Sequence, residues 1–577
     1  MKVKQAKTAG FCMGVRRAME MVLTEANKKE GPIATYGPLI HNKQVLELLE
    51  SKQVKVANDL SEVKEGTLLI RAHGIPPSQR KALKASNLKI IDATCPRVAR
   101  VQAIIRYHTN KGYTPVIVGD KDHAEVIGLM GYGDGLAHVI SDPSEVNQLP
   151  DVDKMVVVAQ TTQNEQTFQR VVDAVRQRFP DALIFNTICD ATRNRQEEVR
   201  SLAEQVDAIV VVGGYHSGNT QRLVQVAKAV GRPTFHVETE KELDKEALAA
   251  MDVIGVTAGA STPNWLIKDV VQEIESIQSR RETYMGRWIK MAFKFLLFSN
   301  FLVAAGAFSF SYAISTLMDK KPDILFPMLT FLYIYAMHVL NRFLDKGAST
   351  YNDPERAHFY QKHRFFLIIT GVLAILGSLV IGAYLGFNVF SAMVGMNILG
   401  IIYSFNIVPI RIQHLLRYTK IKDIPGSKTL AEAIAWAVVI AGIPSLAMEQ
   451  IEWLAALIMF YIVLSMAYIR SAFFELLQVQ GDMIVGVESL PLILGEKKTI
   501  FLLKCVILSA AVFFLVSPLF KLISPFSYIL VLPLLSFAYC LWKYEKGFVS
   551  PGPRVEFLLE GTLLLGGLFA FIWQGLL

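Results

Sequence analysis

The sequence predicts a two-part molecule: an N-terminal α/β half over residues 1–280, then a C-terminal all-α polytopic membrane half over residues 285–577. Three observations carry this. At 577 residues the chain is longer than one hydrophobic core organises. Up to about residue 280 short apolar runs alternate with charged stretches of helical character, whereas from Met291 onward long apolar segments dominate. The mean hydropathy of +0.34 and the hydrophobic share of 52% are therefore averages over two unlike halves.

In the first half, apolar runs at 67–70, 89–91, 115–118, 155–159, 183–185, 208–212 and 253–256 predict strands. Stretches at 98–110, 165–178 and 196–205 predict helices between them, and this alternation reads as largely parallel sheets. Ligands of such sheets bind beyond the C-terminal strand ends, so the residues directly after each run matter most. There stand His73, Cys95, Thr161 and Thr162, Cys189, Ser217 with Asn219, and Ser261.

The chain has five cysteines without paired spacing, which argues against a disulfide framework and for a reducing compartment. Cys12, Cys95 and Cys189 are the three in the first half, each at the entrance to a predicted helix, where N–H groups and the helix dipole favour a thiolate. Their comparable intervals suggest one per lobe of a threefold-like arrangement; the alternative is three ordinary buried thiols. No CxxC or HxxxH spacing completes a closed zinc site. Three thiolates can instead hold a [4Fe–4S] cluster with one iron left open. The first ten residues carry no apolar signal-peptide core, so this half is expected in the cytoplasm. The net charge of +8 falls largely between the later apolar segments, where bilayer orientation explains it, and no nucleic-acid partner is expected.

Phe11-Cys12-Met13-Gly14-Val15, His41-Asn42, Arg71-Ala72-His73-Gly74, Asp92-Ala93-Thr94-Cys95-Pro96, His123-Ala124-Glu125-Val126, Gln160-Thr161-Thr162, the run from Cys189 to Gln196, and Thr257-Ala258-Gly259-Ala260-Ser261 follow one another in order. This succession resembles the 4-hydroxy-3-methylbut-2-enyl diphosphate reductase (IspH/LytB) family. The resemblance implies a three-lobed α/β fold around a [4Fe–4S] cluster on Cys12, Cys95 and Cys189. It also implies reductive removal of the substrate hydroxyl to give isopentenyl and dimethylallyl diphosphate, with a ferredoxin or flavodoxin as electron donor. Glu125 and Thr161 are the implied catalytic residues, Glu125 as proton source with Thr161 as relay. His41, His73, His123, Thr161, Ser217, Gly218, Asn219 and Ser261 are the implied substrate-binding set, with the histidines expected to be protonated. One departure is Ser217-Gly218-Asn219, where many members carry a second serine in place of Gly218.

In the second half nine spans are predicted, at 292–317, 324–344, 365–385, 389–410, 430–448, 453–474, 500–522, 528–542 and 557–577. Basic residues fall on alternate connections, from Arg287, Lys290 and Lys294 before the first span to Lys543, Lys546 and Arg554 after the eighth. This places those connections, like the first half, on the cytoplasmic side of a plasma membrane. Polar residues at the cytoplasmic ends of spans two and six, namely Asn341, Asp345, Glu475, Gln478 and Asp482, mark a functional site or interfacial capping.

With Ile402-Tyr403-Ser404 and the run from Gly481-Asp482 to Leu490-Pro491, this half resembles the UbiA superfamily of intramembrane prenyltransferases. The resemblance implies that Asn341, Asp345, Glu475 and Asp482 bind a prenyl diphosphate with Mg2+, and that the prenyl chain passes to an acceptor. The pattern departs where Arg342 and Ser349 replace acids in the first motif and Gln478 replaces one in the second. Two readings stay open: a second catalytic domain, or a membrane-lipid anchor or prenyl-lipid-binding module.

Overall fold

The structure is a computed structural model that describes residues 1–28, 30–277, 284–318, 323–344, 351–403, 426–448, 450, 452–486, 489–546 and 552–576. The chain divides into two compact units, Met1–Glu282 and Thr283–Leu577.

The first unit holds twelve strands: β1 (Lys2–Gln5), β2 (Ile33–Tyr36), β3 (Val54–Ala57), β4 (Thr67–Ile70), β5 (Lys89–Asp92), β6 (Thr114–Val118), β7 (His138–Ile140), β8 (Met155–Ala159), β9 (Leu183–Phe185), β10 (Ala208–Val212), β11 (Thr234–Val237) and β12 (Val253–Ala258). They form three four-stranded sheets, ordered β3-β2-β4-β5, β7-β6-β8-β9 and β11-β10-β12-β1, and every pairing is parallel. In the first two sheets the first strand in chain order lies inside, the second outside it, and the third and fourth follow on the other side; β10, β11 and β12 repeat the first three places of this order. The last sheet keeps this order only because β1, from the start of the chain, supplies its fourth strand. The three sheets thus share one strand order.

Central strands are buried and mostly apolar, because helices cover both faces of a parallel sheet. β8, Met155-Val-Val-Val-Ala159, is buried along its whole length, and full burial of each such valine is worth roughly 1.5–3 kcal/mol. Strands that the sequence pattern did not predict are mostly edges. β1 reads Lys-Val-Lys-Gln and β3 reads Val-Lys-Val-Ala; each has one neighbour and solvent on its other side, so neither needs an apolar run. β7 and β11 are edges as well, and internal β2, Ile-Ala-Thr-Tyr, is too short to display a period.

The helices that follow the fourth strands matter most for the site: α1 (Met13–Lys28), α2 (Pro96–Thr109) and α3 (Asp190–Ala203). Pro96 opens α2 at a position where its missing N–H costs nothing. α3 begins six residues before the predicted start at 196, because Cys189 already caps it.

The second unit is helical. Six of its helices among the described residues are long and apolar enough to cross a membrane: Arg364–Leu385, Ser427–Leu446, Trp453–Val479, Glu496–Phe520, Ser527–Glu545 and Pro553–Leu576. A seventh is reached if Trp288–Phe298 and Phe301–Leu317, bent by 68°, count as one span. The bend falls at Asn300, which has φ 61° and breaks the predicted first span. The predicted second span is a helix, Leu325–Leu344, but its last turns carry His338, Asn341 and Arg342 and make it less apolar than a free-standing span. The predicted fourth is a helix of 16 residues, Phe387–Ile402, and its predicted continuation past 403 lies outside the described residues. Among the described residues, six or seven spans of the nine predicted are thus long and apolar enough by length and composition.

Candidate active site

The shared strand order brings three chemical groups from each sheet to one cavity of the first unit. After the first strands come His41 (β2), His123 (β6) and Ser217 with Asn219 (β10); after the third strands come His73 (β4), Thr161 (β8) and Ser261 (β12). After the fourth strands come Cys95 (β5), Cys189 (β9) and Cys12 (β1). The same hydrogen bond fixes each cysteine: Cys95 N donates to Ala72 O at 2.9 Å, Cys189 N to Thr161 O at 2.9 Å and Cys12 N to Ala260 O at 3.1 Å. All of these residues, with Gly218 and Glu125, line one cavity of about 90 Å³.

The three thiols are unbridged and half-buried. Burial pushes the Cys95 thiol up, and the neighbouring Cys12 and Cys189 add to this, against the N–H groups of Arg97 and Val98 that favour its thiolate. Gly14 lets α1 approach the other cysteines: a Cβ there would stand 2.5 Å from Cys95 Sγ. Gly14→Ala is accordingly expected to lower the iron content of anaerobically purified protein by more than half, read by iron analysis against the unsubstituted chain.

Glu125 is 1% exposed. Thr161 N donates to its Oε1 at 2.7 Å and Thr161 Oγ to its Oε2 at 2.8 Å. Burial pushes its pKa up to about 7 despite those two bonds, so near neutrality the carboxyl carries a proton about half the time. His123 Nδ1 accepts from Glu125 N at 3.1 Å, which makes Nδ1 the unprotonated nitrogen.

His41, His73 and His123 have ligand atoms all within 4.8 Å of one another. Burial is the main cause that pushes all three toward the neutral form, His123 to about 4; the cation of Arg71 adds to it in each, and His41 adds to it in His73 and His123. The expected protonated histidines belong to a site that holds a diphosphate; in the protein by itself burial favours their neutral form. A phosphoryl group among them would oppose the shift with its own negative charge. Asn219 is 5% exposed, and neither its Oδ1 nor its Nδ2 has a partner; His73 Nδ1 also lacks one. Buried polar atoms without partners are rare, and here they line a cavity with Ser217 and Ser261, whose hydroxyls are 3.2 Å apart.

Sequence reasoning did not single out Arg71 or Arg195. Arg195 is buried between Cys12 and Cys189, and its Nη2 donates to Gly10 O at 2.5 Å. The signal available was its place in the motif that opens with Cys189.

In the second unit a cavity of about 590 Å³ is lined by Asn341, Glu475, Gln478 and Asp482, together with Arg342. Asp345, the fourth predicted residue, lies outside the described residues. Asp482 is 1% exposed; its Oδ1 accepts from Asn352 Nδ2 at 3.0 Å and its Oδ2 has no partner. Glu475 has both oxygens engaged, by Thr429 Oγ at 2.6 Å and Leu490 N at 2.8 Å. The sequence missed a buried charge cluster on the same cavity: Arg470 Nη1 reaches Glu432 Oε1 at 2.7 Å and Nη2 reaches Glu560 Oε1 at 2.6 Å, while Arg356 pairs with Glu556 and Asp353. Removing one partner of such a buried pair costs roughly 3–5 kcal/mol.

The model of the LytB protein family matches residues 3–275, and that of the UbiA prenyltransferase family matches residues 297–553. The chain is 43% identical over 282 residues to the 4-hydroxy-3-methylbut-2-enyl diphosphate reductase of Geobacter sulfurreducens, covering 49% of this chain and 100% of that relative. The chain belongs to the LytB family. A LytB-family reductase of the same name from Solidesulfovibrio magneticus is 46% identical over 285 residues, covering 48% of this chain and 100% of that protein. A solved E-1-hydroxy-2-methyl-but-2-enyl-4-diphosphate reductase from Plasmodium falciparum is 30% identical, with a TM-score of 0.46, over 47% of this chain and 87% of its own. A UbiA homolog from Archaeoglobus fulgidus bound to GPP and Mg2+ is 17% identical, with a TM-score of 0.37, over 48% of this chain and 98% of its own. The LytB-family relatives account for about the first half of the chain, and the second half matches the UbiA prenyltransferase family model.

Proposed function

We propose that the LytB half reductively dehydroxylates 4-hydroxy-3-methylbut-2-enyl diphosphate to isopentenyl and dimethylallyl diphosphate. The observation that carries this is the coincidence, in one small cavity, of three thiols, a buried carboxyl poised near pKa 7 and the orphaned polar atoms of Asn219.

The donor set fits a [4Fe–4S] cluster: three cysteines converge and the remaining two, Cys505 and Cys540, lie in the other half, so one iron is left without a thiolate. Such a cluster supplies single electrons and Lewis acidity at that iron. The chain's own residues do the rest. His41, His73, His123, Ser217, Asn219 and Ser261 offer donors to a diphosphate, and Gly218 keeps the backbone close to it. Protonated Glu125 can turn its Oε2–H toward Thr161 Oγ, freeing the threonine hydrogen to face the cavity, so Thr161 relays a proton to the departing hydroxyl or the allylic carbon. The cavity's small volume keeps bulk water from competing for that proton. The test is turnover: loaded full-length protein given this diphosphate and reduced methyl viologen should release both products, and a loaded cluster that yields neither would overturn the assignment.

For the UbiA half we propose prenyl transfer on a multi-pass plasma-membrane domain with its site, like the LytB half, on the cytoplasmic side. The cavity of about 590 Å³ has room for a prenyl chain, and unpartnered Asp482 Oδ2 suits a Mg2+ ligand. Glu475 braces Thr429 and Leu490 and is the weaker ligand. The non-catalytic reading is favoured by Arg342, a cation where an acid is usual. Titration of geranylgeranyl diphosphate into the nanodisc-embedded chain is expected to show Mg2+-dependent binding that Asp482→Ala weakens about tenfold or more. Binding indifferent to Mg2+ and to the substitution, without prenylated product, would favour the anchor.

A further inference from the structure

Cys12, Cys95 and Cys189 each stand directly before a helix, so one helical position can be compared across α1, α2 and α3. Six residues after the cysteine come Ala18 in α1, Val101 in α2 and Arg195 in α3. All three are buried, with exposures of 0%, 1% and 4%. Two lobes fill this place with a small apolar side chain, and the third fills it with a cation that packing alone does not call for.

Among the described residues no carboxylate pairs with Arg195. Its Nη1 donates to Ala191 O at 3.1 Å and its Nη2 to Gly10 O at 2.5 Å, both neutral carbonyls, and its Nε has no partner. Of the three acids on α3, Asp190 pairs with Arg97 and Glu197 is exposed. The third, Glu198, accepts from Lys7 N at 2.6 Å and from Thr8 N at 2.8 Å. Arginines also cross the other two seams between lobes, where Arg17 Nη1 donates to Thr94 O at 3.1 Å and Arg97 meets Asp190. Arg17 is half-buried and Arg97 exposed, so solvent screens their charge as it cannot screen that of Arg195.

A buried charge is ordinarily paired or set against an ion, because leaving it alone forfeits its hydration. Here the facing anions are sulfurs. Burial lowers the pKa of Arg195, and Cys12, Cys189 and Glu198 oppose this in that order. An arginine starts at about 12.5, so the guanidinium keeps its charge. It lines the same cavity as the three cysteines.

We propose that Arg195 is the counter-ion of the group held by the three cysteines, a positioning residue whose fixed charge raises that group's reduction potential. The inference rests on the reductase reading. Three thiolates outweigh a dipositive [4Fe–4S] core by one charge, and a one-electron reductant adds a second negative charge without moving a proton. A cation shielded from water favours the more negative state. The bond to Gly10 O, two residues before Cys12, keeps the guanidinium beside the thiolate it balances.

The test is an EPR-monitored redox titration of the full chain, anaerobically loaded in nanodiscs, with dithionite as reductant. Arg195→Gln keeps a donor for Gly10 O but no charge, and its reduction equilibrium should fall about tenfold or more, a drop of ~59 mV for one electron. Arg195→Lys keeps the charge and should stay within about threefold of the unsubstituted chain. Arg193→Gln removes a cation of the same helix that pairs with Glu165, and should leave the potential where it was. EPR reads only loaded molecules, so a variant that takes up less iron still reports its potential. An unchanged potential in Arg195→Gln overturns the proposal. So does a potential in Arg195→Lys as low as in Arg195→Gln, which would assign the effect to the tether instead of the charge. A loaded, unsubstituted cluster that does not turn over the diphosphate would instead sink the reductase reading and leave the comparison of potentials intact.

Discussion

Cys12→Ala, Cys95→Ala and Cys189→Ala should each leave the anaerobically purified chain without a properly assembled cluster and without measurable turnover. Each thiol comes from a different lobe and is set by the same amide-to-carbonyl bond, so no cysteine can substitute for another. The two remaining cysteines are in the other half of the chain. Alanine cannot ligate iron, and a cluster with two thiolates would expose two irons to solvent. Iron analysis and EPR of the reduced protein give the readout; a fully loaded cluster in any one variant would remove that cysteine from the ligand set.

Glu125→Gln is expected to keep the cluster and substrate affinity while lowering kcat by about 10²- to 10⁴-fold, the usual range for losing a positioned acid. The amide matches the carboxyl in shape and can still accept from Thr161 N, but has no proton to deliver. The pH dependence gives a second readout. Because the carboxyl titrates near 7, kcat of the unsubstituted enzyme should fall as pH rises through about 7, and the variant's low rate should lack that limb. Stability should shift in the same window. A folded-state pKa of about 7 lies above the ordinary glutamate value of 4.5, so the unfolded chain releases this proton first. Its contribution is fully present below 4.5 and is lost as pH rises toward 7, and glutamine removes that slope. A variant with near-normal kcat would return Glu125 to a buried structural carboxyl.

Much of this was legible before any fold was known. Strands such as β8 and β10 announce themselves because a strand covered on both faces must be apolar at every position. Edge strands such as β1 and β3 do not, since only one neighbour has to be satisfied. The span between 292 and 317 was misread as continuous because hydropathy averages across Asn300, whose left-handed backbone turns the chain by 68°. The lean of His41, His73 and His123 toward the neutral form in the protein by itself is written in no local pattern, because it follows from the burial of residues drawn together from different strands.

The sequence by itself determined the division into two halves, the three thiols, the carboxyl Glu125 and the family motifs, because residue identity and short-range spacing carry that chemistry. Only the tertiary structure decided that β1 closes the third sheet and brings Cys12 to the others, that Thr161 grips both oxygens of Glu125, that an arginine crosses each seam, and that Arg470 is buried between Glu432 and Glu560. Each of these joins residues far apart in the chain. Their meeting is set by the packing of whole sheets and helices, and burial then fixes the electrostatics of the groups that meet.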